Sequence, residues 1–428
     1  MPEACSSPTV RPLLGELRVP GDKSISHRAL LVAALARGSS HIVGLADGTD
    51  VRNTRRILEQ LGVDFSDRSD GLLVTPPEGG LTEASTVLDC GNSGTTMRLL
   101  CGALAAEEGS AVLTGDASLR ARPMDRVIKP LRTMGATLDG RSDASRAPLF
   151  IRGGRLRMAQ HDLEVASAQV KSALLFAGLR NGVAVREPAP SRDHTERMLR
   201  AAGIQVRRDP QGWLLIVGGG QPHGRDWHVP GDLSSAAFFL VAASLVPGSD
   251  LTLRNVGINP TRSGCIDVLL RMGANIEVQP KMDGGVEPRA DIRVKHAPLK
   301  GVEIPPELAL QGLDELPVLA IAAAFAEGTT HLSGAAELRV KESDRIARVI
   351  EGVRALGLEA VGHADGWTIE GGRPTGPARV NAAGDHRLAM AFAVARLITP
   401  GGVHLNGVNA VHSSYPRFFR DLASVTAA

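Results

Sequence analysis

The sequence predicts an α/β protein of two domains, each assembled from three copies of one unit. Three observations lead there. The stretch "VPGDKSISHR" at 19–28 returns as "VPGDLSS" at 229–235. Each copy opens on a polar or glycine-rich turn and runs into an Ala/Leu-rich helix, apolar nearly all round and so expected in a core. Each then passes through a glycine-marked, β-branched strand, a second helix with Arg and Asp on its polar face, an "LG" or "MGA" turn and another strand.

The first copy reads "GDKSISHRALLVAALARGSSHIVGL" and continues to "DVRNTRRILEQLGVDF". The second pairs "GNSGTTMRLLCGALAAEEGSAVLTG" with "MDRVIKPLRTMGATL", and the third pairs "ASAQVKSALLFAGLRNGVAVREP" with "DHTERMLRAAGIQV". The fourth pairs "GDLSSAAFFLVAASLVPGSDLTLRNV" with "GCIDVLLRMGANI", and the fifth "LDELPVLAIAAAFAEGTTHLSGA" with "SDRIARVIEGVRALGLEA". The sixth, "GDHRLAMAFAVARLITPGGVHLNGV", is cut short after "YPRFFRDLASV". The copies start near Gly21, Gly91, Ser167, Gly231, Asp314 and Gly384, a spacing of roughly 64 to 83 residues. That exceeds solenoid repeats of roughly 20–50 residues and suits two domains of three units. The two "VPGD" segments mark the crossings between domains. Residues 21–229 are then the N-terminal domain; 1–20 with 230–428 are the C-terminal domain, which takes the strand before Pro20.

Composition narrows the function. The chain is 43% hydrophobic and 22% charged, with a net charge of +2, so no overall basic field points to nucleic acid. An aromatic content of 3% argues against base-stacking platforms. The apolar run Ala236–Val246, with one serine inside it, is too short to span a bilayer. The first residues lack a basic stretch followed by an apolar one, so no secretion signal is expected. Cys5, Cys90, Cys101 and Cys265 form no CxxC pair and no zinc spacing, which predicts a reduced, cytoplasmic protein without a structural metal; a disulfide between Cys90 and Cys101 stays open.

The chemistry is expected at the repeated helix starts, where unpaired N–H groups and the positive dipole end favour anions. Copy one places Lys23, Ser24 and Arg28 there; copy two Asn92, Ser93, Gly94, Thr95 and Arg98; copy three Ser167, Gln169 and Lys171. Copy four has only Ser234 and Ser235, copy five the acids Asp314 and Glu315, and copy six Asp385, His386 and Arg387. Outside these turns lie Arg120, Arg122, Arg192, Lys341 and Arg345. Taken singly, each has a plain explanation. A serine turn is an N-cap, a first-turn lysine is solvated, and "KESDR" pairs Glu342 with Arg345 at i,i+3. Recurrence at equivalent places weighs against that. Cations in five of six copies, with Asp314 and Glu342 among them, suit two anionic ligands plus acid–base work. A Walker A loop, a Rossmann fingerprint, a metal cluster and a GxSxG elbow are all missing from the sequence.

The segments "GDKSISHRALLVAALARG", "DCGNSGTTMRLL", "RARPM", "SAQVKSALLFAGL", "SRDHTERM", "DELPVLAIAAAFAEG", "LRVKESDRI" and "GDHRLAMAFA" resemble, in order and over nearly the whole chain, the signatures of the 5-enolpyruvylshikimate-3-phosphate synthase family. The form "GNSGTT" is more similar to that family's second bacterial class. The resemblance implies two inside-out α/β barrels, each of three βαβαββ units, with the substrates in the cleft between them. It implies transfer of the enolpyruvyl group of phosphoenolpyruvate to the 5-hydroxyl of shikimate 3-phosphate, without metal or redox cofactor, by a monomer with no nucleic-acid or membrane partner.

Carried over residue by residue, the resemblance gives Lys23, Ser24, Arg28, Ser167, Ala168, Gln169, Arg192, Asp314 and Lys341 to shikimate 3-phosphate. It gives Lys23, Gly94, Arg122, Gln169, Arg345 and Arg387 to phosphoenolpyruvate. Asp314 is the expected base at the 5-hydroxyl, with Lys23 and Glu342 moving protons at C3. Two positions depart from the family: Ser413 stands where some members carry a Lys, so that a basic contact to phosphoenolpyruvate is missing or comes from elsewhere, with Arg417 as one candidate, and Glu337 stands where the family has Asn. The related transferase acting on a UDP-sugar commonly carries a reactive Cys in the loop matching 114–125, which has none here. A non-catalytic anion-binding module would not keep the two acids.

Overall fold

Five of the repeats close on a four-stranded sheet of one design, seen here in a computed structural model that describes residues 10–426. A first strand pairs in parallel with a second, which pairs antiparallel with a fourth, and the third lies antiparallel on the outer edge. The sixth repeat has only the parallel pair Ala378–Asn381 and Val403–Asn406. A buried helix leads into the second strand of each repeat: α1 (Lys23–Ala34), α2 (Gly94–Ala105), α3 (Ala168–Ala177), α4 (Leu233–Leu245), α5 (Leu316–Ala324) and α6 (His386–Arg396). Burial follows composition. Every residue of α5 and all but the last of α4 are buried, while the helix Thr49–Gln60 keeps a polar face in water.

Local chemistry sets the ends. Asp22, Ser93, Ser167, Asp232 and Asp385 accept a hydrogen bond from a backbone N–H of the first turn. The start of α5 has no side-chain cap and uses a proline instead. After each helix the chain reverses through a glycine with positive φ, for example +111° at Gly109 and +83° at Gly328, a conformation that a Cβ would strain.

The chain divides into two units, residues 21–229 with 284–287, and residues up to 20 with 230–283 and 288–428. The sequence places all of 230–428 together; segment 284–287, from the connection between strands Asn275–Pro280 and Arg289–Lys295, instead groups with the first unit. There the buried carboxylate of Glu287 finds His194 Nδ1 at 2.8 Å. Each unit has its own hydrophobic core.

Each "VPGD" segment gives a strand to the unit it leaves and a helix to the unit it enters. Asp226–His228 completes the first repeat by pairing with Ser40–Val43, and Leu14–Leu17 completes the fourth by pairing with Asp250–Gly257. The glycine is needed for space: a Cβ at Gly21 would lie 1.8 Å from the Gly44 carbonyl oxygen, and one at Gly231 would lie 2.9 Å from Val19 Cγ2.

Cys90, Cys101 and Cys265 are free and buried, so the possible disulfide is not formed; Cys5 lies outside the described residues. No helix among the described residues is long and apolar enough to cross a membrane. The small residues of α2 and α3 let those helices approach closely, and a Cβ at Gly102 would fall 2.0 Å from the Ala173 carbonyl oxygen. Gly102→Ala is therefore expected to destabilise the protein by about 1–3 kcal/mol through overpacking. Gly376→Ala, with nothing within 4 Å, should change stability far less. Denaturant unfolding of the two variants checks this.

Candidate active site

In the unit of residues 21–229, hydrogen bonds tie together three helix starts. Lys23 opens α1 and its Nζ donates to Asp50 Oδ2 at 2.9 Å. Arg28, one turn on, is buried and crosses to α3: Nε donates to Thr195 Oγ1 at 2.7 Å, Nη2 to Ser172 Oγ at 2.9 Å and to the Ala168 carbonyl at 3.3 Å. Burial brings its pKa down to about 10, partly offset by the nearby carboxylate of Glu196, and it stays charged at neutral pH. Arg192 Nη1 reaches Ser24 Oγ at 3.5 Å. Gln169 donates to Thr95 Oγ1 at 2.9 Å and accepts from Arg98 Nη1 at 2.9 Å, joining α3 to α2. Gly94 opens α2, where a Cβ would lie 2.8 Å from Arg98 Nη1 and 3.2 Å from Arg122 Nη1. The missing side chain leaves the helix start open between two guanidiniums.

A second link lies behind these groups. His27 Nδ1 is 2.7 Å from Thr54 Oγ1, Thr54 Oγ1 is 2.7 Å from Thr96 Oγ1, and Thr96 Oγ1 donates to Ser93 Oγ at 2.7 Å. Since Thr96 spends its proton on Ser93, Thr54 donates to Thr96 and the imidazole carries its proton on Nδ1. This chain fixes the start of α1 against that of α2.

One expected group is elsewhere. Lys171 does not face a ligand with Ser167 and Gln169; it is buried between Glu187 and Glu196 at 2.7 and 2.8 Å. Those acids lie beyond the helix start, where repeat alignment gives no signal.

In the other unit the centre is Arg345, only 1% exposed. Nε donates to Asp385 Oδ2 at 2.8 Å, Nη2 to Glu342 Oε2 at 2.6 Å and Nη1 to Asp314 Oδ1 at 3.3 Å. Burial alone would lower its pKa; the surrounding carboxylates, Asp385 foremost, outweigh burial and hold it above the ordinary value. The i,i+3 pair of Glu342 and Arg345 thus forms, as part of a larger cluster. Burial lowers the pKa of Lys341, against the pull of Asp314. Asp385 Oδ1 caps the Arg387 N–H at 2.9 Å.

Copy four also has a cation, which its opening turn does not reveal. Buried Arg262 donates to Asp232 Oδ1 at 3.0 Å and Ser234 Oγ at 2.6 Å, with Glu315 at 3.5 Å. Adjacent Asp314 and Glu315 therefore serve different arginines. Of the two departures, Glu337 lies in the turn Ala336–Val340 ahead of Lys341. Ser413 Oγ donates to the Ala410 carbonyl at 2.8 Å, and Arg417 sits 3.8 Å from Asp421 at the start of helix Phe418–Val425. Among the described residues no group of three or more His, Cys, Asp or Glu could hold a metal ion.

Comparison with known proteins fits this geometry. A family model described as EPSP synthase (3-phosphoshikimate 1-carboxyvinyltransferase) matches residues 8–422. A 3-phosphoshikimate 1-carboxyvinyltransferase of Alkalilimnicola ehrlichii is 51% identical over 417 residues, covering 96% of this chain and 93% of that protein. The solved EPSP synthase of Acinetobacter baumannii superposes with a TM-score of 0.87 at 42% identity, covering 98% of this chain and 97% of the other. The enolpyruvyl transferase NikO from Streptomyces tendae shares the fold, with a TM-score of 0.76 at 20% identity over 98% of each chain.

Burial and the neighbouring cations Lys23 and Arg28 push the pKa of His27 well below 6.5. The folded state keeps it neutral, whereas the unfolded chain takes up a proton below pH ~6.5. Stability from this group is thus full above that pH and falls as pH drops towards the depressed folded value. His161, also lowered by burial, acts in the same direction. His27→Gln is expected to flatten the decline in unfolding free energy between about pH 6.5 and 5, measured by denaturant titration across pH. An unchanged slope would show that His27 is not the titrating group.

Proposed function

The chain belongs to the EPSP synthase family, and from that premise we propose how its side chains divide the work. The reaction moves the enolpyruvyl group of phosphoenolpyruvate to the 5-hydroxyl of shikimate 3-phosphate and releases phosphate, a step of aromatic amino acid biosynthesis. The hydroxyl oxygen adds to C2 while C3 gains a proton; phosphate then leaves as C3 gives a proton back. Cations must neutralise two phosphates and a carboxylate, and proton carriers must work in both directions.

Ser24, Arg28, Ser167, Ala168, Gln169 and Arg192 bind shikimate 3-phosphate, together with Lys23, Asp314 and Lys341. The direct links Arg192–Ser24 and Arg28–Ala168 support treating the first six as one site. Phosphoenolpyruvate is bound by Lys23, Gly94, Arg122, Gln169, Arg345 and Arg387, which supply cations and an open helix start for a phosphate and a carboxylate. Asp314 takes the proton of the 5-hydroxyl, and Glu342 and Lys23 move the proton at C3. The observation that carries this assignment is the shared guanidinium of Arg345, which holds Asp314, Glu342 and Asp385 within 3.3 Å. An anion arriving at Arg345 competes with these carboxylates, and a displaced Asp314 or Glu342 is freed for proton transfer. The net charge of +2 supports small-molecule substrates over a nucleic-acid partner, and the free cysteines support a cytoplasmic enzyme; it is taken to act as a monomer.

A phosphate-release assay decides the substrate. Release is expected with phosphoenolpyruvate and shikimate 3-phosphate and not with a UDP-sugar acceptor; the reverse would overturn the assignment. Glu342→Gln should bind both substrates nearly as well as the parent while turning over about 10²–10⁴-fold more slowly. Parental turnover in that variant would leave Glu342 only a partner of Arg345.

A further inference from the structure

Behind Ser167 and Arg192 lies a buried ionic cluster that the proposed reaction does not use. Lys171 Nζ sits 2.7 Å from Glu187 Oε2 and 2.8 Å from Glu196 Oε1, and the three side chains are 1%, 5% and 2% exposed. Stability alone is a weak reason for such a cluster, since apolar residues of similar volume often do as well or better. Its other bonds give it a purpose. Glu187 Oε1 accepts the Ser167 N–H at 3.2 Å and the Ser191 hydroxyl at 2.5 Å, while Lys171 Nζ also reaches the Ser191 carbonyl at 3.4 Å. One carboxylate therefore grips the backbone of Ser167, the cap of α3, and the residue just ahead of Arg192. Glu196 follows Thr195, which accepts from Arg28, and its charge offsets the loss that burial imposes on Arg28.

We propose that Lys171 and Glu187 are positioning residues for shikimate 3-phosphate, holding Ser167 and Arg192 at the spacing its phosphate requires. This rests on the assignment of Ser167 and Arg192 to that ligand. Lys171 is the counter-charge beside the buried carboxylate of Glu187, and Glu187 is the clamp. Neither touches the ligand. A purely structural staple would hold α3 to the chain near Glu187 without regard to which ligand binds.

Two double variants separate these roles. Lys171→Met with Glu187→Gln removes the charge pair but keeps an amide oxygen to accept from Ser167 and Ser191. Lys171→Met with Glu187→Leu removes the acceptor as well. Titration calorimetry with shikimate 3-phosphate is expected to show about 10- to 100-fold weaker binding in the Leu variant, the size of losing hydrogen bonds to a charged group. The Gln variant should recover most of that loss, and in both the KM for phosphoenolpyruvate should stay within about twofold. Ser191→Ala, which keeps the ion pair and the fold, should weaken shikimate 3-phosphate several-fold and decides the matter if a double variant fails to fold. Equal affinity in the two double variants, or parental affinity in Ser191→Ala, would overturn the proposal. Arg192→Ala tells which layer has failed. Parental affinity there sinks the ligand assignment and this inference with it. Lost affinity there, with no difference between the double variants, sinks only the positioning role.

Discussion

A helix that is apolar on every side can meet water only at its ends. The six buried helices obey this constraint, and their N-terminal turns are where polar chemistry can be placed without opening a core. Five of the six N-caps spend a side-chain oxygen on one backbone N–H group and leave the positive end of the dipole for a ligand or a cation-bearing neighbour. Everything assigned to substrate lies in or beside such a turn. The sheets supply the frame, and their connections bring the turns of each unit together.

The two units dress the same turn differently. In the unit of residues 21–229, Arg28 and Arg192 donate to hydroxyls and Arg98 to an amide oxygen beside the helix starts, while Lys23 pairs with Asp50. In the other, Arg262 and Arg345 are each wrapped by carboxylates from neighbouring repeats. The division at Asp314 and Glu315 is the clearest case. Adjacent side chains on one turn point to two arginines, so a single turn couples the charge balance of its neighbours on both sides.

Much of this is legible in the sequence because it is local. The alanine-rich helices, their Asp and Ser caps, the reversing glycines and the doubled "VPGD" each depend on a few neighbouring residues, and repetition amplifies a weak signal into a pattern. What is not legible depends on direction and distance. Lys171 occupies a ligand-facing position by alignment, yet Glu187 and Glu196 draw it inwards. Arg262 supplies the cation of the fourth repeat from outside its opening turn. Segment 284–287 groups away from the repeats around it, with its buried Glu287 beside His194. In each case a tertiary partner decides, and no periodicity records it.

The strand exchange at Pro20 and Pro230 also imposes an order on synthesis. The unit of residues 21–229 owns a nearly continuous stretch of chain, ending in the strand that its first sheet requires. Leu14–Leu17 is made before any of it, yet its partner Asp250–Gly257 lies far downstream, and the amide of Leu13 waits for a serine hydroxyl 236 residues later. At ribosomal speed that delay is on the order of ten seconds or more. Throughout it, this early strand has no sheet to join. Its sequence suits the wait: "LGEL" is short, carries Glu16 and breaks its own β pattern with a glycine at positive φ. An early strand with so little stickiness can stay extended beside a folding neighbour without recruiting a wrong edge.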